Sequence, residues 1–425
     1  MKKLRGLKLN HCKNTENFAT IDFPLPKTVR IPMAMTMGAP CQPVVKAGDE
    51  VKVGQKIGDC DAPFSAPVHS GVSGKVTAIS DYLTANGSVC KAVEIETDGL
   101  QTVSEEVKPP AVTDKESFIK AVRESGVCGL GGAGFPTHIK LSPKTPIDTL
   151  IINGAECEPY ITADYREMLE NPEDVIGGIN LMKSQLGIKY AKLAIEENKP
   201  EAIKNFTEMA ESDDTIDIVT LPSSYPQGAE KVIIYNSTGR IVMEGQLPSD
   251  VGVIVLNIST VAFIYRYMQT GMPLVTRRLT VDGNAVGEPK NLNVIIGTPF
   301  RELLEFCKTD MDSVKKLIGG GPMMGMSLYS ADMSVVKTSN ALIAVKSYDE
   351  RKTSACIRCG RCVRVCPLGL MPADIDRAYK IRNIDELREL KVMLCMNCGS
   401  CTYVCPANRK LAETNQLAKT LIPRK

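Results

Sequence analysis

The sequence predicts a multidomain protein of the α/β plus β class with an α-rich C-terminal domain, and three patterns support this. Runs that alternate apolar and polar residues around glycines, over residues 43–58 and 66–79, indicate short strands and hairpins. Short apolar strands at residues 149–152 and 251–256 lie among helical patterns, which indicates an α/β unit. The C-terminal region repeats one cysteine motif. The length of 425 residues suits about two to four domains.

The C-terminal region contains the motif C-x2-C-x2-C-x3-C-P twice. This is the spacing by which bacterial ferredoxins hold two [4Fe–4S] clusters, and the fourth cysteine of each run ligates the other cluster. Cluster one is therefore expected on Cys356, Cys359, Cys362 and Cys405. Cluster two is expected on Cys395, Cys398, Cys401 and Cys366. Structural zinc on C-x2-C pairs is the alternative, but four cysteines per copy, each copy ending in Cys-Pro, favour clusters and electron transfer.

Composition predicts a cytoplasmic protein without a membrane span. The net charge of +2 gives no reason to expect a nucleic-acid partner. Seven further cysteines are scattered along the chain, which suits a reducing compartment. No segment approaches the ~20 apolar residues that a membrane helix needs, because Asn257 and Arg266 interrupt the most apolar stretch. Any membrane association is expected through partners.

Positive charge is concentrated in the C-terminal region. Residues 351–425 hold 15 Lys and Arg against 6 Asp and Glu, whereas residues 1–350 hold 36 against 43. Arginines 358, 361 and 364 alternate with the ligands of the first motif, and the second motif contains none. We expect them to raise the reduction potential of cluster one, so that it is the easier of the two clusters to reduce. The alternatives are that they dock an acidic electron carrier or form a solvated surface.

Residues 38–80 resemble the barrel-sandwich hybrid of lipoyl and biotinyl domains. Such carriers display a modifiable lysine on a hairpin, and residues 59–65 contain none. A packing module is therefore expected rather than a carrier. We interpret His69 as a turn or core residue, with a ligand role as the alternative.

A glycine-rich segment follows the Pro109-Pro110 linker. Gly129, Gly131 and Gly134 match G-x-G-x-x-G, but the dinucleotide fingerprint requires a strand immediately before it, and residues 117–125 predict a helix. The glycines can still bring backbone N–H groups close to a phosphate or a flat ring. Lys140 can supply a positive charge.

Polar residues follow two of the predicted strands. Asn153, Glu156 and Glu158 come directly after the first, where ligands of open α/β sheets bind. The two glutamates could contact ribose hydroxyls or the edge of a flavin, or could simply be solvated turn residues. Asn257 ends the second strand, and Ser259 or Thr260 is expected to cap the helix after it.

These segments, with residues 225–230, resemble the FMN- and NADH-binding subunit of respiratory complex I. With the β module before them and the cysteine motifs after them, the chain resembles the RnfC family, the C subunits of the Rnf ion-translocating ferredoxin:NAD oxidoreductase. The resemblance implies an N-terminal segment with a barrel-sandwich hybrid at 1–108 and a complex I flavoprotein-like FMN domain at 112–272. It further implies a β-grasp (SLBB) module at 273–326, a connector at 327–348 and a ferredoxin-like 2×[4Fe–4S] domain at 349–425.

The resemblance also implies which residues bind FMN and NADH. The glycine loop would wrap FMN, Asn153 and Glu156 would contact it, and Glu158 would meet the NADH side. The full implied set is Gly129, Gly131, Gly132, Gly134, Phe135, Lys140, Asn153, Glu156, Glu158, Tyr225, Gly228, Glu230, Asn257 and Thr260. Three positions depart from the complex I pattern, namely Leu130 for arginine, Ala155 for aspartate and Ala229 for glutamate. The run Gly319-Gly320-Gly321-Pro322 is interpreted as a structural turn, because no Lys-Ser/Thr follows it.

The implied function is that of the NADH/NAD+-reactive subunit of a membrane-bound ferredoxin:NAD+ oxidoreductase. Electrons would pass between NAD(H), FMN and the two clusters, and no acid–base residue is expected because a flavin handles both one and two electrons. The chain would lie at the cytoplasmic face of the membrane, held by the A, B, D, E and G subunits of the Rnf complex, and would reach ferredoxin indirectly. Two alternatives stay open: a cobalamin reductase, and a non-enzymatic electron wire with a vestigial flavin pocket.

Overall fold

The computed structural model describes residues 4–348 and 352–423. The predicted domain boundary at 349 and both chain ends lie outside the described residues. The strands are β1 (Ile21–Asp22), β2 (Thr28–Pro32), β3 (Gln42–Pro43), β4 (Glu50–Val51), β5 (Lys56–Asp59), β6 (Val68–His69), β7 (Gly74–Leu83), β8 (Val89–Thr97), β9 (Thr149–Gly154), β10 (Tyr190–Glu196), β11 (Ile216–Leu221), β12 (Val253–Asn257), β13 (Thr276–Asp282), β14 (Lys290–Ile295), β15 (Lys316–Gly319), β16 (Met326–Leu328) and β17 (Ala341–Val345). The helices are α1 (Lys115–Glu124), α2 (Thr137–Lys140), α3 (Ala163–Glu170), α4 (Pro172–Leu186), α5 (Pro200–Ala210), α6 (Glu230–Thr238), α7 (Ile258–Thr270), α8 (Phe300–Phe306), α9 (Arg361–Val365), α10 (Pro372–Lys380), α11 (Ile384–Glu389), α12 (Ser400–Tyr403) and α13 (Leu411–Thr420).

The first module is a pair of small antiparallel sheets. One has the strand order β2-β8-β7-β4 and the other β3-β5-β6. Alternate residues of the strands, such as Val29 and Ile31 on β2, are buried between the sheets. His69 lies on β6 with 6% of its surface exposed. Burial lowers the pKa of His69 to about 3, so the side chain is a neutral core residue.

The second module is a parallel sheet between helices. Its strand order is β11-β10-β9-β12, and every neighbouring pair is parallel. Successive residues of a buried strand point to opposite faces, so Leu150 and Ile152 join the larger core whereas Ile151 packs in the core that contains α6 residues. Helix α1, not a strand, precedes the glycine loop, as the sequence predicted. Strand β9 lies where the chain reverses its direction across the sheet, which is the switch point at which such folds bind ligands.

The third module is a mixed sheet of order β1-β14-β13-β17-β15-β16. Its centre is the parallel pair β13 and β17, with the β13–β14 hairpin on one side and β15 on the other. This differs from the predicted connector over 327–348, because residues 341–345 are apolar and buried and form a central strand. A short apolar strand gives no sequence signal of which sheet it joins.

The N-terminal segment also differs from the predicted 1–108 unit. Strand β1 pairs with β14 of the third sheet. Leu7 exchanges both backbone hydrogen bonds with Tyr225 of the second module, each 2.8 Å long. Arg5 Nη1 donates to the carbonyl of Val363, 3.1 Å away. The N-terminal segment therefore ties together three modules.

The C-terminal module consists of the short helices α9 to α13 around the two cysteine motifs. Helices α10 and α13 pack through an apolar core that includes Ile375, Leu387 and Ala418. Among the described residues, no helix is both long and apolar enough to cross a membrane.

Candidate functional site

The site begins at the carboxyl ends of β9 and β12, which are parallel neighbours. Asn153 and Asn257 are directly opposite in the register of this pair. Asn153 Nδ2 donates to the carbonyl of Gly228 at 2.9 Å, so it holds the turn before α6. Asn257 caps α7, rather than Ser259 or Thr260 as expected: its carboxamide accepts from the N–H of Thr260 at 3.3 Å, and α7 already begins at Ile258. The switch point therefore gathers three of the segments singled out from the sequence.

The glycine loop closes over this point. Gly129 N donates to the carbonyl of Phe135 at 2.9 Å, and Leu130 N donates to Thr260 Oγ1 at 3.0 Å. A Cβ on Gly131 would lie 3.2 Å from the Asn257 amide, so the loop packs directly on the end of β12. Gly132 has a φ of +110°, and a Cβ there would meet no described atom within 4 Å. The exposed tip of the loop therefore leaves open space for a flat ligand.

A buried carboxylate fixes the Asn257 side chain. Asp164, on α3, accepts hydrogen bonds from Asn257 Nδ2 at 2.7 Å and Ser259 Oγ at 2.6 Å. Burial raises the pKa of Asp164, although these two donors oppose the shift. The sequence interpretation missed Asp164, because nothing in its local pattern distinguishes it from any acid in the first turn of a helix.

Glu156 lies in the loop after β9 with a φ of +49°. Its carboxylate accepts from the backbone N–H of Asp164 at 2.6 Å and of Tyr165 at 3.2 Å. Burial raises the pKa of Glu156, and the ammonium of Lys13 opposes the shift. In the structure Glu156 caps α3, so its hydrogen bonds are made within the protein.

Glu158 lies at a junction of three modules. Its Oε2 accepts from the N–H of Met323 at 2.9 Å, in the turn between β15 and β16. Its Oε1 lies 3.5 Å from the hydroxyl of Tyr225. A Cβ on Gly321 would clash with Glu158 Oε2, so the turn approaches the carboxylate closely only because residue 321 is glycine. The run at 319–322 is thus a structural turn that packs over Glu158.

Tyr225 connects this junction to a cysteine motif. Its side chain is 2% exposed, and its hydroxyl donates to the carbonyl of Cys398 at 2.6 Å. Gly228 follows in the same turn, and its N–H lies 3.5 Å from Cys157 Sγ. One buried turn therefore contacts both the end of β9 and a predicted cluster loop.

Two more predicted site residues form an ion pair between α2 and α6. Lys140 Nζ lies 2.6 Å from Glu230 Oε1. Phe135 packs edge-on against Phe64 of the first module, with ring centroids 5.8 Å apart. Met37 N, from the same module, donates to the carbonyl of Gly134 at 2.8 Å. The first module therefore covers the glycine loop.

Buried lysines hold the loop after β9, and sequence reasoning missed them. Lys13 Nζ donates to the carbonyls of Glu156 and Glu158, each at 3.0 Å, and to that of Ile161. Lys199 Nζ donates to the carbonyl of Ala155 at 2.7 Å. No local motif could have indicated Lys13, because its partners lie more than 140 residues away.

Glu196 ends β10 beside this loop and was also missed. It is 1% exposed, yet neither carboxylate oxygen has a hydrogen-bond partner among the described residues. Burial raises the pKa of Glu196 to about 7. The buried ammonium of Lys199 lies 4.0 Å from Glu196 Oε2, so the carboxylate is paired with a positive charge although it makes no hydrogen bond.

The cysteines of the second predicted cluster surround one cavity. Cys366 from the first motif lines it together with Cys395, Cys398 and Cys401 from the second. In the other set, Cys362 and Cys405 lie in one small apolar cluster, which also contains Cys401 of the second set. The exchange of the fourth cysteine between motifs, predicted from their spacing, fits this arrangement, and four thiols around one cavity suit a [4Fe–4S] cluster.

Three family models match the chain in the same order as the modules. They are the RnfC barrel sandwich hybrid domain at residues 2–100, the Nuo51 FMN-binding domain at 122–266 and the 4Fe-4S dicluster domain at 348–406. The chain resembles that of an NAD+-reducing [NiFe]-hydrogenase, with a TM-score of 0.51, 17% identity, and coverage of 73% of this chain and 64% of that one. This likeness concerns the fold alone.

Fold and site together define an electron-transfer protein with an FMN-binding domain and a [4Fe–4S] dicluster domain. The C subunit of the proton-translocating ferredoxin:NAD(+) oxidoreductase complex of Clostridium ljungdahlii is 42% identical over 85% of this chain and 80% of its own length. The C subunit of the Na(+)-translocating complex of Acetobacterium woodii is 41% identical over 86% and 85%. The C subunit of the ion-translocating oxidoreductase complex of Rhodobacter capsulatus is 38% identical over 93% and 78%. The chain belongs to this RnfC family, as the sequence resemblance implied.

Proposed function

We propose that this chain is the NAD(H)-reactive subunit of an ion-translocating ferredoxin:NAD+ oxidoreductase. It passes electrons between NAD(H), FMN and two [4Fe–4S] clusters, and from there to partner subunits. The observation that supports this best is the hydrogen bond from Tyr225 to Cys398, because it joins a residue proposed for the flavin site to a cluster loop. The names of the relatives, which describe ferredoxin:NAD(+) oxidoreductases, support the same function.

Bound FMN supplies the chemistry that exchanges a two-electron hydride for single electrons. The protein's contribution is to position the flavin and the nicotinamide and to enclose them. The open tip of the glycine loop at Gly132 offers backbone N–H groups to a phosphate or ring. Asp164 holds the Asn257 amide still, and the Phe64–Phe135 contact covers the loop from the side of the first module. These contacts keep the cavity rigid and limit the entry of water.

The residues proposed to line the FMN and NADH cavity are those implied by the family resemblance. Their positions support the assignment to different extents. The glycine loop, Asn153, Asn257, Thr260 and Gly228 meet at the switch point. By contrast, Glu156 caps a helix and Glu158 binds the 319–325 turn, so both act mainly by shaping the cavity.

The third module is proposed to be an SLBB-type β-grasp unit. Its hairpin, helix and parallel central pair β13–β17 support this. The partners are proposed to be the membrane and iron–sulfur components of an Rnf complex, its A, B, D, E and G subunits, with ferredoxin reached indirectly. Attachment through them would place the chain peripherally on the cytoplasmic face of the membrane.

One observation favours a second candidate, a non-enzymatic electron wire. Leu130 and Ala155, which replace polar residues of the complex I pattern, are 2% and 0% exposed and pack in apolar cores. The cavity therefore lacks two polar contacts that could hold FMN. The guanidinium of Arg277 does reach this loop, donating to the carbonyl of Leu130 at 3.1 Å.

Anaerobic purification, flavin and iron analysis, and a visible spectrum before and after NADH test the proposal. We expect about one FMN and eight iron atoms per chain, and bleaching of the flavin by NADH. Two clusters without flavin, and without any response to NADH after FMN is added, would favour the electron wire. Reduction of a corrinoid by the purified chain would favour a cobalamin reductase instead.

A further inference from the structure

The two cysteine loops of the C-terminal module face different surroundings. The loop of the second motif packs inward: Cys398 accepts from Tyr225, and a Cβ on Gly399 would lie 2.9 Å from the carbonyl of Met323. The loop of the first motif faces outward, because Cys356 is exposed and Ile357 is 67% exposed. The module therefore has an inner cluster loop (residues 395–401) and an outer cluster loop (residues 356–362).

Three guanidinium groups lie on or beside the outer loop. Arg358, Arg361 and Arg364 are exposed, and no carboxylate among residues 4–348 and 352–423 forms an ion pair with any of them. Other arginines of the module do pair with acids: those at 377, 388 and 409 contact Glu386, Asp385 and Asp376 respectively. The positive charge of the outer loop is thus left uncompensated within the described part of the chain.

The composition of this face is compatible with a docking surface. An exposed apolar residue, Ile357, lies among arginines, and interfaces are enriched in arginine around an apolar centre. Tuning of the cluster potential is disfavoured as the main role, because exposed charges are screened by water and salt.

We propose that the face formed by Ile357, Arg358, Arg361 and Arg364 docks an acidic iron–sulfur electron carrier protein. This rests on the proposed function, in which the clusters exchange electrons with a partner. At this face one electron crosses between proteins, so that one cluster is oxidised by one electron and the other is reduced by one. No bond forms or breaks, and no proton moves. The inner loop serves the flavin cavity and the outer loop serves the carrier.

The experiment uses a small, acidic 2[4Fe–4S] ferredoxin as a stand-in for the iron–sulfur partner. The reduced ferredoxin is mixed with the oxidised full chain and excess NAD+, and its oxidation is followed in stopped flow; the absence of any oxidation by the unaltered chain would overturn the proposal. For the unaltered chain we expect the second-order rate constant to fall at least about tenfold from low to high salt, as for steered association. The combined variant Arg358→Gln, Arg361→Gln and Arg364→Gln should be at least about tenfold slower at low salt and nearly insensitive to salt.

Two controls make the result specific. The combined variant Lys75→Gln, Lys115→Gln and Lys204→Gln makes the same change of net charge on exposed residues of other modules, and should keep the rate. Replacing the three arginines by lysine should keep most of the second-order rate constant, because the positive charge is kept. NADH-dependent reduction of a small uncharged dye reports the flavin site alone, so its loss in the unaltered chain would count against the proposed function and not against docking.

The docking proposal is overturned if the arginine variant keeps the rate of the unaltered chain, or if the lysine control loses as much. It is also overturned if the variant shifts a cluster potential while its salt dependence stays that of the unaltered chain. If the triple arginine variant loses iron, the single variant Arg358→Gln takes its place. The rate of that variant, together with the salt dependence of the unaltered chain, then tests the docking proposal. A rate independent of salt in the unaltered chain would exclude an acidic partner.

Discussion

The hydroxyl of Tyr225 donates a 2.6 Å hydrogen bond to the carbonyl oxygen of Cys398, although the two residues are 173 positions apart. The backbone of Tyr225 is in turn paired with Leu7 of the N-terminal segment. The residue is buried and lies between the candidate flavin cavity and the inner cluster loop. One side chain therefore connects the turn at Gly228, in the candidate flavin site, with the inner cluster loop.

Replacing Tyr225 by phenylalanine should lower the reduction potential of the inner cluster. The hydroxyl directs the positive end of its dipole towards that loop, and hydrogen bonds near a cluster favour its reduced form. Loss of about 0.5 kcal/mol of this preference corresponds to roughly 20 mV for one electron. A redox titration followed by electron paramagnetic resonance measures it, with the outer cluster as internal control. Equal shifts in the reduction potentials of both clusters, or no shift in either, would contradict the assignment of Tyr225 to the inner cluster.

Replacing Gly132 by valine should abolish FMN binding and leave the iron content unchanged. The side chain would enter the open space at the tip of the glycine loop. Gly48→Val is the matched control, because Gly48 has a φ of +97° and also lacks any described atom within 4 Å of a Cβ. Both variants carry a similar backbone cost, about 1–3 kcal/mol. Fluorescence titration with FMN separates them, and normal binding by Gly132→Val would show that the flavin lies elsewhere.

Lys13→Met should loosen the loop after β9. The substitution removes a buried ammonium and leaves three carbonyls without a donor, at a cost of about 2–3 kcal/mol in the free energy of unfolding. FMN affinity should fall with it, because the loop carries Glu156 and Glu158. Lys8→Met, at an exposed position of the same segment, should change neither quantity. Urea denaturation and FMN titration make the comparison, and equal behaviour of the two variants would exclude a role for Lys13.

The stability of the first module should fall as the pH is lowered from 6.5. Burial holds the pKa of His69 at about 3, against 6.5 in the unfolded chain. Between these values the unfolded chain binds the extra proton, so the free energy of unfolding rises with pH by up to about 1.4 kcal/mol per unit. His69→Gln should remove this part of the slope, measured from urea midpoints between pH 5 and 7. An identical slope in the variant would mean that His69 is protonated in the folded state.

Local sequence patterns predicted the modules well, because strands, helices and cysteine motifs depend on residues that are close together in the sequence. The glycine loop, the strand ends at Asn153 and Asn257, and the pairing of Cys366 with the second motif could all be read from short segments. The interpretation of His69 as a turn or core residue agrees with its burial in the structure.

Contacts between distant segments could not be read in this way. Lys13 binds carbonyls in the loop after β9, and β17 pairs with β13 of the third sheet, because tertiary packing decides both contacts. Glu158 shows this most clearly. It is far from the cysteines in sequence, yet Tyr225 lies between it and Cys398. Substitution of Glu158 is therefore expected to disturb the inner cluster loop as well as the use of NADH.

The reverse reaction of the isolated chain tests the central claim most directly. Fully reduced protein, freed of reductant, holds one electron in each cluster and two in its flavin. Mixed with NAD+, it should form up to two NADH per chain while both cluster signals disappear from the electron paramagnetic resonance spectrum. A Cys398→Ser variant that lacks the inner cluster should form only one NADH and keep the outer signal. Formation of one NADH by the unaltered chain, with both cluster signals persisting, would contradict an electron path from the flavin through Tyr225 and Cys398 to the clusters.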